Sequence, residues 1–247
     1  MSAGDSPRTV AGRDMSGDSP RTMANPDMSG DSPRTMAEKD SDGDCPQRDP
    51  TTLVLVRHTA PELDQRMYVY GTLDLELSDA GHAHARELGE ILASAAFTAL
   101  YSSPLRRATA TAAPLAKLVG LGVVTVPDLR EITFGELEGL TLAEIEARYP
   151  EALEWTVSPS RATFPGGDSV REFRARAVAA AREIVARHPG ETVAIFSHAV
   201  TIRAILADAL GMEEDALFRL HQAYGGISVI DWYGELPLVR AVNAARI

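Results

Sequence analysis

Arg57-His58, Ser102-Ser103-Pro104-Leu105-Arg106-Arg107 and Ser197-His198 are short stretches in which imidazole or guanidinium groups directly follow β-branched and aliphatic runs. Guanidinium forks match the oxygens of a dianionic phosphoryl group, and an imidazole can attack phosphorus or donate to it, so the set needs no metal. A fourth stretch, Leu129-Arg130-Glu131-Ile132-Thr133-Phe134-Gly135-Glu136-Leu137-Glu138-Gly139, is acidic and punctuated by glycine. A carboxyl group of this loop facing the cations would be the proton donor that a departing ester oxygen requires. Glu131 is the candidate, with Glu136 and Glu138 expected to stay solvated, although the residues alone do not separate Glu131 from its acidic neighbours. The remaining polar residues have plainer readings. His82 and His84 read as exposed on a helix, His188 as a cation ending a helix before Pro189-Gly190, and Lys117 as surface charge. His221 stays ambiguous, Trp232 reads as packing, and Trp155 lies in a Pro-rich connection that could border a pocket.

The elements that must position these groups alternate. Thr52–Val56, Ala99–Tyr101 and Thr192–Phe196 are short runs of the kind buried in a parallel sheet, and a further short strand is expected near Gly122–Val126. Ser78 can cap a helix running to about Ala93, and Pro104 sits where the first turn of another helix tolerates proline. Thr141 with Glu144 and Ser169 with Glu172 fit the capping-box spacing. Val170, Phe173, Ala177, Ala181 and Ile184 form an apolar helix face wide enough to cover a sheet. The pattern predicts an α/β fold: three layers, doubly wound, with a mostly parallel sheet and helices on both faces. Ligands of such sheets bind outside the carboxyl ends of the strands, which is where the histidines and arginines would meet.

Composition limits the alternatives. Residues 1–50 contain no Leu, Ile, Phe, Trp or Tyr but six Pro and five Gly, too little apolar surface to offset the entropy of ordering. They read as a disordered low-complexity tail before one folded domain, 51–247. The tail repeats: Gly-Asp-Ser-Pro-Arg-Thr begins at Gly4, Gly17 and Gly30, with a degraded copy at Gly43. In-frame Met15, Met23, Met28 and Met36 leave room for translation to start downstream. A net charge of −11 argues against nucleic acid and anionic membrane as partners, while a local basic pocket stays compatible with it. The lone Cys45 makes neither an internal disulfide nor a thiolate cage. With no long apolar run and no signal-like N-terminus, the chain reads as cytoplasmic.

Read in order, the motifs resemble the histidine phosphatase superfamily in its phosphoglycerate-mutase-like branch. They are Leu-Val-Arg57-His58, Tyr70-Gly71 with Asp74 and Leu77-Ser78, Tyr-Ser-Ser-Pro-Leu-Arg-Arg107-Ala, Leu-Arg-Glu131 with Phe-Gly-Glu-Leu-Glu-Gly, Pro-Gly-Gly-Asp168-Ser and Phe-Ser-His198-Ala. The resemblance implies that His58 is a nucleophile that becomes phosphohistidine and that Arg57, Arg107 and His198 grip the phosphoryl oxygens. It further implies that Glu131 acts as acid and then base, and that Tyr70 lies at the substrate. Arg107, rather than Arg106, takes the motif position because it directly precedes the alanine. No cofactor is implied, the expected partner is a small phosphorylated metabolite, and a homodimer is left open.

Three positions depart from the pattern. Thr59 and Ala60 stand where the family commonly has Gly and Glu, and Asp64 where it has Asn. A β-carbon is thereby added beside the nucleophile, so either the local loop is rearranged or phosphate affinity falls. An Arg-His-Thr start with a later Tyr-Gly also resembles the α-ribazole phosphate phosphatases, and similar variants occur among broad phosphatases. The compact middle region favours hydrolysis over a mutase reaction. A phospho-ligand-binding module without turnover is the rival from another class, and a nucleotide-binding domain is disfavoured because no Gly-rich fingerprint follows the first strand.

Overall fold

The computed structural model describes residues 49–63, 68–162 and 164–246. The expected tail, apart from Asp49 and Pro50, lies outside the described residues, as does Asp64. Six strands form one sheet in the order β3-β2-β4-β1-β5-β6. They span β1 Thr51–Arg57, β2 Phe97–Ser102, β3 Val123–Thr125, β4 Thr192–Ser197, β5 Ile227–Tyr233 and β6 Leu236–Ala244. The first four are mutually parallel, whereas β5 runs antiparallel to β1 and β6 to β5. The hairpin of β5 and β6 is absent from the expectation above. In β6 exposed and partly buried positions alternate, the pattern of a half-solvated edge strand rather than of the buried runs that mark β1 and β4.

Side-chain alternation along β1 explains the layers. Leu53 and Leu55 point to one face, where Ala181 and Ile184 of α4 (Val170–Arg187) and Ile202 and Ile205 of α5 (Ala199–Ala209) cover them. Val54 and Val56 point to the other, against Leu88 of α1 (Asp79–Leu92) and Leu115 of α2 (Arg106–Val119). A third cluster, centred on Phe134, Phe164, Phe173 and Leu217, lies under the loops beyond the strand ends.

The caps follow the sequence signals. Ser78 accepts from the Gly81 N–H, Ser169 from Glu172, and Thr141 and Glu144 complete a reciprocal box at α3 (Leu142–Arg148). One start differs: α2 begins at Arg106, with Pro104 outside it. Its cap Leu105 offers no side-chain acceptor, and Asp74 from a distant loop accepts from the Arg106 N–H at 2.7 Å instead. The register Arg57↔Ser197 and Ser102↔Phe196 brings three strands to their carboxyl ends at one level, which puts their polar sequels side by side.

Candidate active site

The sequels of β1, β2 and β4 do converge. The imidazoles of His58 and His198 lie 5.2 Å apart between ring centroids, and both residues are buried. The Nδ1 of His58 sits 2.8 Å from its neighbour's carbonyl, Thr59 O, and its Nε2 sits 3.3 Å from Arg107 Nε. A carbonyl can only accept and a guanidinium can only donate, so the pair of contacts selects the neutral tautomer with a lone pair on Nε2. Burial, followed by the charges of Arg57 and Arg107, holds His58 well below the usual imidazole range. His198 is lowered likewise by burial, then by Arg107, His58 and Arg57. Its Nε2 is 2.7 Å from Ser103 Oγ, a hydroxyl that also accepts from the Leu105 N–H. Its Nδ1 is buried and without a hydrogen-bond partner among the described residues.

Arg107 is fully buried at the start of α2 and is held by two carbonyls rather than by an acid. Its Nη1 donates to Leu73 O and its Nη2 to Gly71 O, each at 2.6 Å. A Cβ at Gly71 would overlap the Ile132 carbonyl oxygen, so only glycine lets this loop pass. Arg106 turns outward and pairs with Glu76, which agrees with the choice of Arg107. Arg57 donates to Gln222 O at 2.5 Å and stands 4.2 Å over the ring of Tyr224.

Glu131 is seated by the N-terminus of α5. Its oxygens accept from the N–H groups of Val200 (3.0 Å), Thr201 (3.1 Å) and Ile132 (3.1 Å), and the Thr201 hydroxyl is 3.1 Å from Oε1. Helix N-termini favour such an acceptor. The loop that carries it is clamped by Asp168, which accepts from the Thr133 N–H and approaches Arg176. Glu136 is exposed and accepts from Tyr149. Glu138, expected to be solvated, instead accepts from Thr72 N (3.0 Å), Leu73 N (2.9 Å) and Phe134 N (3.1 Å), and so holds the loop whose carbonyls hold Arg107. The physical reason is chain reversal: isolated backbone donors of a non-helical loop need an acceptor, and a carboxylate offers two oxygens.

Thr59 resolves the question its β-carbon raised. Its hydroxyl donates to Gly81 O at 2.9 Å and its N–H to Thr111 Oγ1 at 3.1 Å, so the side chain is absorbed between α1 and α2. Tyr70 is buried, with its ring 5.3 Å from the Arg107 guanidinium and its hydroxyl 2.6 Å from that of Tyr224. Above the cations opens a cavity of about 280 Å³, bordered by Trp155, Phe134, Phe218, Tyr70 and Arg203. Trp155 thus borders a pocket, as its position suggested.

Thr201, Tyr224 and Arg203 escaped sequence reasoning, and Ser103 and Glu138 gave no sign there of the contacts they make. Of these, only Arg203 left a signal, its i+3 and i+4 spacing from Val200 and Ala199 on a helix opened by His198. His188 caps α4 and meets Tyr101 and Glu191, and Trp232 is buried in the core. Among the described residues there is no helix long and apolar enough to cross a membrane and no cluster of three or more metal-ligating side chains.

Residues 53–245 match the model of the histidine phosphatase superfamily (branch 1). A bifunctional protein of Mycobacterium tuberculosis is 34% identical over 196 residues, 78% of this chain and 54% of the relative. The chain therefore spans about half the length of that relative. Phosphoserine phosphatase 1 of Hydrogenobacter thermophilus is 33% identical over 162 residues, 65% of this chain and 77% of that protein. Among solved structures, mycobacterial glucosyl-3-phosphoglycerate phosphatase superposes with a TM-score of 0.73 at 28% identity, covering 78% of this chain and 99% of that one. The family match over most of the chain, joined to this shared fold, makes the chain a member of the histidine phosphatase superfamily, branch 1.

Proposed function

We propose that this chain hydrolyses phosphate monoesters of small metabolites by passing the phosphoryl group through His58. The observation that carries the reading is the His58 ring, whose tautomer is fixed by Thr59 O so that an unprotonated Nε2 faces the cavity beside two guanidinium groups. In the first step Nε2 attacks phosphorus in line, a P–N bond forms and the ester P–O bond breaks. The electron pair leaves on the ester oxygen, which takes a proton from Glu131. Arg57, Arg107 and His198 meet the charge spread over the three equatorial oxygens. In the second step Glu131 takes a proton from water, the oxygen attacks phosphorus, and the P–N bond returns its electrons to Nε2.

Relatives named as phosphatases for phosphoserine and for glucosyl-3-phosphoglycerate support hydrolysis as the reaction class. The test is turnover of p-nitrophenyl phosphate with EDTA present, beside His58→Ala, and acid-labile ³²P on quenched enzyme. Equal low rates for both proteins would leave a phospho-ligand-binding module. Interconversion of phosphoglycerates without release of phosphate would make the enzyme a mutase.

A further inference from the structure

Ser103 and His198 are buried side chains that follow the neighbouring strands β2 and β4, and the phosphoryl chemistry just described gives the serine no role. Its backbone is pinned on both sides. The Ser103 N–H donates to Phe196 O at 2.9 Å, and the Ser103 carbonyl accepts from the Ser102 hydroxyl at 2.9 Å. Pro104 comes next, and proline restricts the residue before it to extended backbone. The hydroxyl is therefore held at one point, 2.7 Å from His198 Nε2, where it also accepts from the Leu105 N–H at 3.3 Å. His198 stands directly before α5, yet its side chain caps no N–H of that helix. Its ring engages Ser103 instead, and its other nitrogen, Nδ1, has no hydrogen-bond partner among the described residues.

The protonation states of His198 differ in what each leaves unpaired. An imidazolium is opposed by burial and by the charges of Arg107, His58 and Arg57. A neutral ring protonated on Nε2 would donate to Ser103 Oγ. The serine hydrogen would then have no acceptor and the Nδ1 lone pair no donor, two buried groups left unsatisfied. A neutral ring protonated on Nδ1 takes the serine hydrogen at Nε2 and leaves only the Nδ1–H unpaired, a donor that an anionic oxygen satisfies. Resting on the hydrolase reading above, we infer that Ser103 is a positioning residue: its hydroxyl donates to His198 Nε2 and so selects the tautomer whose Nδ1–H is offered to the phosphoryl group. The two imidazoles thereby receive opposite assignments. A carbonyl, which can only accept, leaves the lone pair of His58 on Nε2, and a hydroxyl with one hydrogen to give places the proton of His198 on Nδ1.

The experiment is ¹H–¹⁵N NMR of the full-length protein labelled at histidine, with His198 assigned by the signals lost in H198Q. In the wild-type protein His198 should show a protonated Nδ1 and an unprotonated Nε2. In S103A the pattern should shift toward Nε2–H. Affinity for inorganic phosphate, read by calorimetry, should then fall about tenfold, the worth of one charge-assisted hydrogen bond, and kcat/KM for p-nitrophenyl phosphate should fall with it. S103T keeps a hydroxyl and should return the tautomer and most of the affinity. In the H198Q background S103A should cost nothing further, because no imidazole is left to orient. A purely structural role at the start of α2 would lower stability and rate, leave the nitrogen signals in place and persist in H198Q, and that outcome overturns the inference. A proton on Nε2 in the wild-type protein overturns it as well, and this spectrum decides even if neither serine variant folds. Absence of turnover with every ester overturns the hydrolase reading, whereas the tautomer and the phosphate affinities still decide the role given to Ser103.

Discussion

The floor of the site and its rim are built in different ways. The floor, Arg57, His58, Ser103 and His198, follows directly from the ends of three neighbouring strands, and its members are placed by sheet register. The rim is loops held by polar contacts between residues far apart in sequence, such as Arg107 with Gly71 and Leu73, Glu138 with Thr72 and Phe134, and Tyr70 with Tyr224. A regular sheet can fix a nucleophile within a fraction of an ångström, whereas loops can be re-cut around a different alcohol. On the proposed mechanism the floor would carry the reaction and the rim its geometry and selectivity, a division that substitutions can break.

The largest effect belongs to the floor. On the proposed mechanism His58→Ala removes the group that accepts phosphorus, and turnover of p-nitrophenyl phosphate should fall by roughly 10⁴-fold or more. A smaller loss would show that water attacks phosphorus directly. Arg107 stands where floor and rim meet. Arg107→Lys keeps the charge but cannot serve Leu73 O, Gly71 O and His58 together, and a fall in kcat of about 10²-fold is expected from steady-state rates. Glu138→Gln tests the rim alone. It turns an acceptor oxygen into an N–H₂ facing the Leu73 N–H, so stability should drop by about 1 kcal/mol, a lowering of Tm by about 2–4 °C. Activity should follow by roughly tenfold as Arg107 loses its frame. If kcat/KM falls while Arg107→Lys is unaffected by the added change, the two residues act as one unit.

The same division decides what was legible in the sequence. The strands of the floor show as β-branched runs, and each run passes straight into its chemistry, so His58, Arg57 and His198 could be placed from neighbours alone. Choosing Arg107 over Arg106 and Glu131 over Glu138 needed the family resemblance. The structure gives the physical grounds, one arginine turned to solvent and one buried, one carboxylate on a helix N-terminus and one on a loop. Tyr224 left no trace and Glu138 read as solvated because Tyr70 and Thr72 lie 154 and 66 residues away, and no local periodicity encodes such pairs. Edge strand β6 escaped for another reason: a half-exposed strand lacks the continuous apolar run that identifies a central one, and in the buried β5 Ser228 and Asp231 interrupt that run.

Acid titration separates the regions without changing the rim. Because burial and the arginines lower His58 and His198, the folded protein binds fewer protons than the unfolded chain just below the ordinary imidazole range, about 6.5. Their neutral forms therefore contribute stability above that range, and the contribution is lost as pH falls below it. Thermal melts from pH 8 to pH 5 should show a falling Tm, with a shallower acid slope in His198→Gln. An unchanged slope would mean that the buried imidazole is not what acid attacks. Inorganic phosphate should raise Tm, since it binds only the folded floor.

The smallest expected effect is the sharpest test of how the rim supports the floor. Tyr224 touches both: its ring lies 4.2 Å from Arg57 and 5.6 Å from His58, and its hydroxyl meets Tyr70, whose own ring faces Arg107. Burial, then the proximity of Tyr224, raises the Tyr70 phenol above its usual range, so Tyr70 stays protonated and the bridge persists across working pH. Tyr224→Phe keeps the ring over Arg57 and removes only the bridge. If the bridge merely closes one side of the site, kcat/KM should drop about two- to threefold, with KM moving more than kcat, and the cycle with Tyr70→Phe should show a coupling of about 0.5–1.5 kcal/mol. Tyr224→Ala strips the aromatic face from Arg57 as well, and a further loss of roughly fivefold is expected from a cation–π contact of about 1 kcal/mol. Should Tyr224→Phe cost as much as Tyr224→Ala, the hydroxyl would be acting on the reacting atoms, and the line between floor and rim would have to be redrawn through Tyr224.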